Sequence, residues 1–241
     1  MFVSIIIPAF NEERLIEETL NRVRAACEAF SHRGWRNEII VCDNNSTDRT
    51  SELARAAGAL VVFEPVNQIG RARNSGAKVA SGNWLIFVDA DSHPSRGLFD
   101  RVAQEIATGR VIGGGSTIDL ATQSRLAKSV ARFWNCLSRV FRLLAGSFIF
   151  CDATAFRELG GFNDELFAGE ELDLTTRLKR LARSRDKRLV IIKDHPLVTS
   201  DRKVHLYTLR EHTGFFIRAM LGGQKVLKKR ENCATWYDGR R

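Results

Sequence analysis

The sequence predicts an α/β protein built on a mostly parallel sheet flanked by helices. Three observations predict it. Short runs of apolar, β-branched residues alternate with helical segments through the first 88 residues, which is the pattern of βαβ units. Polar turns follow three of those runs and so fall together at the carboxyl ends of the strands. One run, Trp84-Leu85-Ile86-Phe87-Val88, is apolar throughout, reads as a fully buried strand, and passes directly into Asp89-Ala90-Asp91.

The first strand is Phe2 to Ile7, closed by Pro8. Asn11-Glu12-Glu13 opens a helix whose apolar positions (Leu15, Ile16, Leu20, Val23, Ala26, Cys27, Phe30) recur near every 3.6 residues, with acids in the first turn. Gly34 ends it. Glu38 to Cys42 forms a second strand, leading into Asp43-Asn44-Asn45-Ser46-Thr47-Asp48, a turn of side chains that bond their own backbone. Ser46 or Thr47 is placed to cap a helix from Asp48 to Ala57, ended by Gly58. Leu60–Phe63 is a third strand. A helix then runs through Ala72, Ala77 and Val79 to Gly82, ahead of the strand at 84–88, with Pro94 as the next stop.

Beyond residue 95 a helix at about 95–108 precedes a glycine-rich strand at 111–118. Residues 124–145 carry a stripe of Leu126, Val130, Phe133, Trp134, Leu137, Val140, Phe141 and Leu144, with Arg125, Lys128, Arg132, Arg139 and Arg142 elsewhere on the helix. Such a basic amphipathic helix suits a membrane surface; the favoured expectation is packing on its own domain. Gly160-Gly161 makes a turn after a short helix, and Glu170-Glu171 precede a helix carrying Leu174, Leu178 and Leu181. Leu189–Ile192 is a strand, Pro196–Val198 is extended, Leu206–Leu221 is helical, and the tail from Lys225 is basic and loosely ordered.

The 241 residues, 44% hydrophobic and 27% charged, suit a globular protein. No apolar run spans a bilayer and the N-terminus reads as a strand, so the expected location is the cytoplasm. The five cysteines (Cys27, Cys42, Cys136, Cys151, Cys233) lack metal or disulfide spacing and read as reduced thiols. A net charge of +9 suits an anionic partner.

Two carboxylates at the end of a buried strand repel one another and are costly to desolvate. Mg²⁺ or Mn²⁺, which needs little more than one or two carboxylates plus phosphate oxygens, removes both penalties. The competing reading makes Asp89 or Asp91 a cap for the next helix.

Five segments, in order, resemble the family 2 glycosyltransferases. They are Ser4-Ile5-Ile6-Ile7-Pro8-Ala9-Phe10-Asn11-Glu12-Glu13; Asp43 to Thr50; Gly70-Arg71-Ala72-Arg73-Asn74-Ser75-Gly76; Asp89-Ala90-Asp91; and Gly160-Gly161-Phe162 followed by Gly169-Glu170-Glu171-Leu172-Asp173-Leu174. Thr199-Ser200-Asp201-Arg202 is a looser sixth. The resemblance covers about residues 3–178. It implies a GT-A fold with a Rossmann-like sheet and a smaller acceptor-side C-terminal part. It thus divides one domain, 1–222, into a nucleotide-sugar half (1–94) and an acceptor half (95–222), with a basic tail at 223–241.

The implied activity is transfer of a sugar from a nucleotide sugar, most commonly a UDP-sugar, to a hydroxyl acceptor with inversion. Pro8, Ala9, Asn11 and Glu12 would frame the nucleoside, and Asp43 the base. Arg73 would position the nucleotide, with Asp89 and Ala90 also against it. Asp91, helped by Asp89, would hold Mn²⁺ or Mg²⁺. Arg202, with Lys203 or His205, would close over the diphosphate. Glu171 occupies the position of the catalytic base, where the family usually has Asp; Glu170 and Asp173 are the alternatives. The extra methylene also leaves open a catalytically impaired relative that binds a nucleotide or an anionic surface.

A nucleotide-dependent oxidoreductase would want a glycine-rich first turn, and Pro8-Ala9-Phe10-Asn11 has none. A sugar nucleotidyltransferase would want a glycine-rich basic loop there, where Asn11-Glu12-Glu13 is acidic. Nothing resembles a nucleic-acid recognition motif. The acceptor, a saccharide or a lipid-linked sugar among others, is not legible, and a visit to the membrane surface is compatible with the basic helix.

Overall fold

The computed structural model describes residues 1–144, 146–200 and 224–233. Its strands are β1 (Phe2–Ala9), β2 (Arg36–Asp43), β3 (Leu60–Phe63), β4 (Trp84–Val88), β5 (Ser92–His93), β6 (Val111–Leu120), β7 (Phe148–Asp152) and β8 (Arg188–Thr199). They form one sheet in the order β3-β2-β1-β4-β7-β6-β8-β5. Pairings β1–β2, β1–β4, β2–β3 and β6–β8 are parallel, whereas β7 runs antiparallel to both β4 and β6, and β5 to β8. The parallel expectation thus holds through the first half, and an antiparallel strand joins the two halves.

The strand period divides the core. Ile5 and Ile7 point to one face, packing with Leu20, Val23 and Phe30 of α1 (Ile16–Ser31) and Leu98, Phe99 and Val102 of α4 (Arg96–Ala107). Ile6 and Phe87 point to the other, against Ala72 and Ala77 of α3 (Ile69–Val79), Phe156 of α6 (Ala153–Glu158) and Leu174 and Leu178 of α7 (Glu170–Ser184). Gly76 makes α3 sit close: a Cβ there would stand 2.5 Å from Ile6 Cγ2 and 2.7 Å from Cys42 Sγ.

Several boundaries differ from the sequence reading for physical reasons. β1 runs through Pro8 to Ala9, in register with Cys42 and Asp43. β4 is ended by the Asp89 turn, in which Ser92 N–H donates to Asp89 O at 3.0 Å, rather than by Pro94. β8 is continuous to Thr199. Its ladder to β6 slips between Ser116 and Ile118, leaving Pro196 in the irregular stretch where a missing donor is tolerated. The helix α2 (Thr50–Ala56) begins later than expected and is served by Asp48, whose Oδ1 accepts from Thr50 N–H at 2.9 Å. Ser46 and Thr47 instead bind the first loop.

Part of the tail is also ordered. A single turn, α8 (Gln224–Leu227), and the 3-10 turn Arg230–Cys233 pack beside Phe167 and Ala168, with Cys233 fully buried and Phe167 N–H donating to Leu227 O at 2.8 Å. α5 (Arg125–Phe141) lies against β6. No helix among the described residues is long and apolar enough to cross a membrane.

Candidate active site

Three loops at the carboxyl ends of β1, β2 and β3 are laced together by short polar side chains. Asn11, held at φ 52°, donates its N–H to Ser46 Oγ at 3.0 Å, and its Oδ1 accepts from Thr47 N–H at 2.8 Å. Glu12 N–H donates to Thr50 Oγ1 at 2.7 Å. Asp43 Oδ1 accepts from Ser46 N–H at 3.0 Å, and Asn44 Nδ2 donates to Val66 O at 2.6 Å. Pro8, Ala9, Asn11, Glu12 and Asp43 are therefore neighbours at one rim, with Ala9, Glu12 and Asp43 buried.

Asp89, Ala90 and Asp91 form the next part of that rim. Neither aspartate caps α4, whose N-cap is Ser95, its Oγ accepting from Leu98 N–H. Ala90 O instead accepts from Thr19 Oγ1 at 2.6 Å. Asp91 Oδ2 accepts from Ser200 Oγ at 3.2 Å, so the residue after β8 is drawn to the turn. Arg202, Lys203 and His205 lie outside the described residues. Among the described residues no cluster of three or more His, Cys, Asp or Glu side chains stands ready for a metal. The two aspartates offer hard oxygen donors only. That set fits Mn²⁺ or Mg²⁺ completing its shell from phosphate oxygens and water.

Arg73 does not stand free for a nucleotide. Its side chain is 1% exposed; Nη1 donates to Glu170 Oε1 at 2.8 Å, and Nη2 donates to Asp89 Oδ1 at 2.9 Å and Gly146 O at 2.8 Å. Burial disfavours its charge, but Asp89, Glu170 and Glu171 more than offset this and keep it ionised. Glu170 is likewise engaged. Burial, then the adjoining Glu171 carboxyl, push the Glu170 carboxyl well above its usual range, with Arg73 offsetting only part. Asp173 is paired too: Arg177 Nη2 lies 2.6 Å from its Oδ2, and the same guanidinium donates to Leu159 O and Gly161 O. The two alternative bases therefore brace the Gly161 turn and the start of α7.

Glu171 differs. Its Oε2 is buried without a hydrogen-bond partner among the described residues. It lines a cavity of about 130 Å³ together with Arg73, Asp89, Gly146 and Glu170. A Cβ on residue 146 would lie 2.8 Å from Glu171 Oε1, so glycine leaves room for that carboxylate.

Residues 4–157 match the family described as Glycosyl transferase family 2. The chain belongs to glycosyl transferase family 2. Curated relatives of this family 2 chain include the glycosyltransferase AglE of Haloferax volcanii, 36% identical over 122 residues, 48% of this chain and 39% of that protein. Another is an undecaprenyl-phosphate 4-deoxy-4-formamido-L-arabinose transferase of Edwardsiella ictaluri, 36% identical over 97 residues, 37% of this chain and 29% of that protein. The chain thus aligns with well under half the length of each.

Among solved structures, S. aureus TarS 1-349 in complex with UDP-GlcNAc is similar over 99% of this chain and 71% of that one, at TM-score 0.66 and 20% identity. The mannosyltransferase PcManGT from Pyrobaculum calidifontis, in complex with GDP-Man and Mn²⁺, is similar over 94% and 62%, at TM-score 0.66 and 21% identity. The glucosyl-3-phosphoglycerate synthase of Mycobacterium tuberculosis, with Mn²⁺ and UDP, matches over 92% and 80% at TM-score 0.60 and 21% identity. The family 2 chain has their GT-A fold.

Sequence reasoning missed three amides that hold the rim. Besides Asn44, Gln68 Nε2 donates to Asp164 O at 2.7 Å and Leu166 O at 2.8 Å. Asn74 pairs with both backbone groups of Phe162, at 2.8 and 2.9 Å. Asn44 lies inside the Asp43–Thr50 segment and Asn74 inside the Gly70–Gly76 segment, which is the available signal.

Proposed function

We propose that this chain is an inverting, metal-dependent glycosyltransferase that moves a sugar from a nucleoside diphosphate sugar, best read as a UDP-sugar, to an acceptor hydroxyl. The observation that carries the proposal is the shared cavity: the partnerless carboxylate oxygen of Glu171 and the metal-turn residue Asp89 line the same space. The first half, 1–94, binds the donor and the second the acceptor.

In the reaction the acceptor oxygen forms a bond to the anomeric carbon as the bond from that carbon to the diphosphate oxygen breaks. The electron pair leaves with the diphosphate. The acceptor proton passes to Glu171, which on this reading approaches from the face opposite the leaving group, as inversion requires. Asp91 and Asp89 would hold Mn²⁺ or Mg²⁺, which when bound would supply charge neutralisation for the leaving diphosphate. Arg73 acts through Asp89 and Glu170 as a positioning residue. Glu12 and Asp43 hold the nucleoside side of the rim. Support for a nucleotide sugar comes from neighbours of the same fold captured with UDP-GlcNAc and with GDP-Man.

Thermal stabilisation by UDP, GDP, dTDP and CDP sugars, with and without Mn²⁺, tests the donor site, because a ligand selective for the native state raises Tm. A metal-requiring shift with one nucleotide, lost in Asp91→Ala, is expected; an unchanged shift in that variant sinks the assignment. Binding of that kind without turnover on any acceptor would favour the impaired relative.

A further inference from the structure

The long helix α5 leaves four of its large apolar residues exposed. It packs through small ones: Ala127, Ala131 and Ser138 are buried, and the Asn135 side chain bonds both backbone groups of Ile118 at 2.9 and 2.8 Å. Val130, Phe133, Val140 and Phe141 are 59%, 66%, 68% and 57% exposed. Their spacing places them on one side of the helix. Exposed apolar residues scattered singly are ordinary, but a contiguous stripe marks a binding surface. Exposed Arg125, Lys128, Arg132 and Arg139 follow a neighbouring stripe, and no acidic residue occurs between Asp119 and Asp152.

At the end of the helix Val140 and Phe141 run into a cavity of about 340 Å³ whose other walls carry Arg142, Lys179, Arg183 and Lys187. Arg188, also at its wall, is paired with the buried Glu105 at 3.3 Å. Among the described residues no carboxylate pairs with the other four. Lys179 Nζ donates to Phe141 O. Burial, then Arg183 and Arg142, push its ammonium below the usual lysine range.

We propose that this side of α5, with the cationic pocket at its end, docks on the surface of an anionic lipid bilayer, the apolar stripe entering the acyl boundary and the pocket taking a lipid phosphate. A bilayer offers an apolar layer directly beneath an anionic one, and the stripe and the pocket meet at Val140 and Phe141 in that same relation. A nucleic acid would satisfy the charges and leave the stripe in water. None of these residues lines the cavity shared by Asp89 and Glu171, so the proposal stands apart from the transfer reaction.

The test is sedimentation of the full chain with vesicles of phosphatidylcholine alone and of phosphatidylcholine with about one-third phosphatidylglycerol. The expected result is pelleting with the anionic vesicles only, weakening as salt rises. Phe133→Asp with Val140→Asp should abolish it. Arg183→Glu with Lys187→Glu should lower partitioning by about tenfold or more, each cation near the surface contributing about 1 kcal/mol. Both pairs of substitutions fall on exposed or half-exposed positions, so melting curves and nucleotide-induced Tm shifts should match the parent. Equal recovery with neutral and anionic vesicles, no pelleting with either, or undiminished binding by the Phe133/Val140 variant would each overturn the proposal. So would a parent that self-associates through the stripe, seen as a dimer by analytical ultracentrifugation that the same variant dissociates.

Discussion

Arg73 Nη2 lies 2.9 Å from Asp89 Oδ1, so a buried guanidinium from α3 fixes the first carboxylate of the Asp89-Ala90-Asp91 turn. Because its Nη1 also lies 2.8 Å from Glu170 Oε1, the orientation of that turn and the start of α7 depend on one side chain. Arg73→Ala should destabilise the fold by about 3–5 kcal/mol, since it leaves buried carboxylates unpaired. Arg73→Lys keeps the charge on one nitrogen, which cannot reach Asp89, Glu170 and Gly146 O together. It should lower stability less and weaken metal-dependent nucleotide binding. Urea denaturation and nucleotide titration measure the two effects; a lysine variant with parental values for both would refute this account.

Glu171→Gln should reduce kcat by about 10²–10⁴-fold while nucleotide affinity stays within about twofold, as expected when only a general base is lost. Asp173→Asn should behave oppositely, lowering stability through Arg177 and the Gly161 turn with a smaller change in kcat. Single-turnover rates and melting curves on the same preparations separate the two. A larger kcat loss in the Asp173 variant would move the base there.

Gly146→Ala provides a check that leaves every charge in place. A Cβ 2.8 Å from Glu171 Oε1 and 3.3 Å from Arg73 Nη2 must displace one of them. Misplacing a base by about 1 Å is worth about 10²-fold in rate. The expectation is a fall in kcat of that order with little change in nucleotide affinity, and parental turnover would show that Glu171 does not act from this cavity.

Glu64 gives the rim a pH dependence. Burial opposes its ionisation, but the Ser75 hydroxyl, the Val66 N–H and Arg71 prevail and hold its carboxyl below the ordinary 4.5. Its folded pKa is therefore lower than its unfolded one, and its contribution is present above about pH 4.5 and lost as pH falls through the folded value. Glu64→Gln should be less stable by about 1–2 kcal/mol at pH 7, with the gap closing in acid. Equal gaps at pH 7 and about pH 3.5 in urea denaturation would contradict the assignment.

The first half of the fold was legible because its strands announce themselves locally. Leu60–Phe63 and Trp84–Val88 occupy the spans their composition indicates. β7 was not read as a strand: Phe148–Cys151 has no alternation, and its antiparallel direction depends on where α5 returns the chain. The rim was legible as a set of strand-end turns, but its internal bonds were not. Arg73 reads on the page as a nucleotide cation, and only the approach of α7 and the metal turn reveals its carboxylate partners. In the same way the stripe on α5 has the period of a packing face. That Val130, Phe133, Val140 and Phe141 of it point outward follows from the small residues Ala127 and Ala131 being buried on the side towards β6.

The helix α7 carries Glu171 in its first turn and Lys179 eight residues on. At 1.5 Å per residue the two are separated by about 12 Å along the axis. On the two proposals made above, one rigid helix would carry both the proton acceptor and part of the lipid-phosphate pocket at that fixed spacing. Whatever tilts α7 at its C-terminal end would then also move the carboxylate in its first turn.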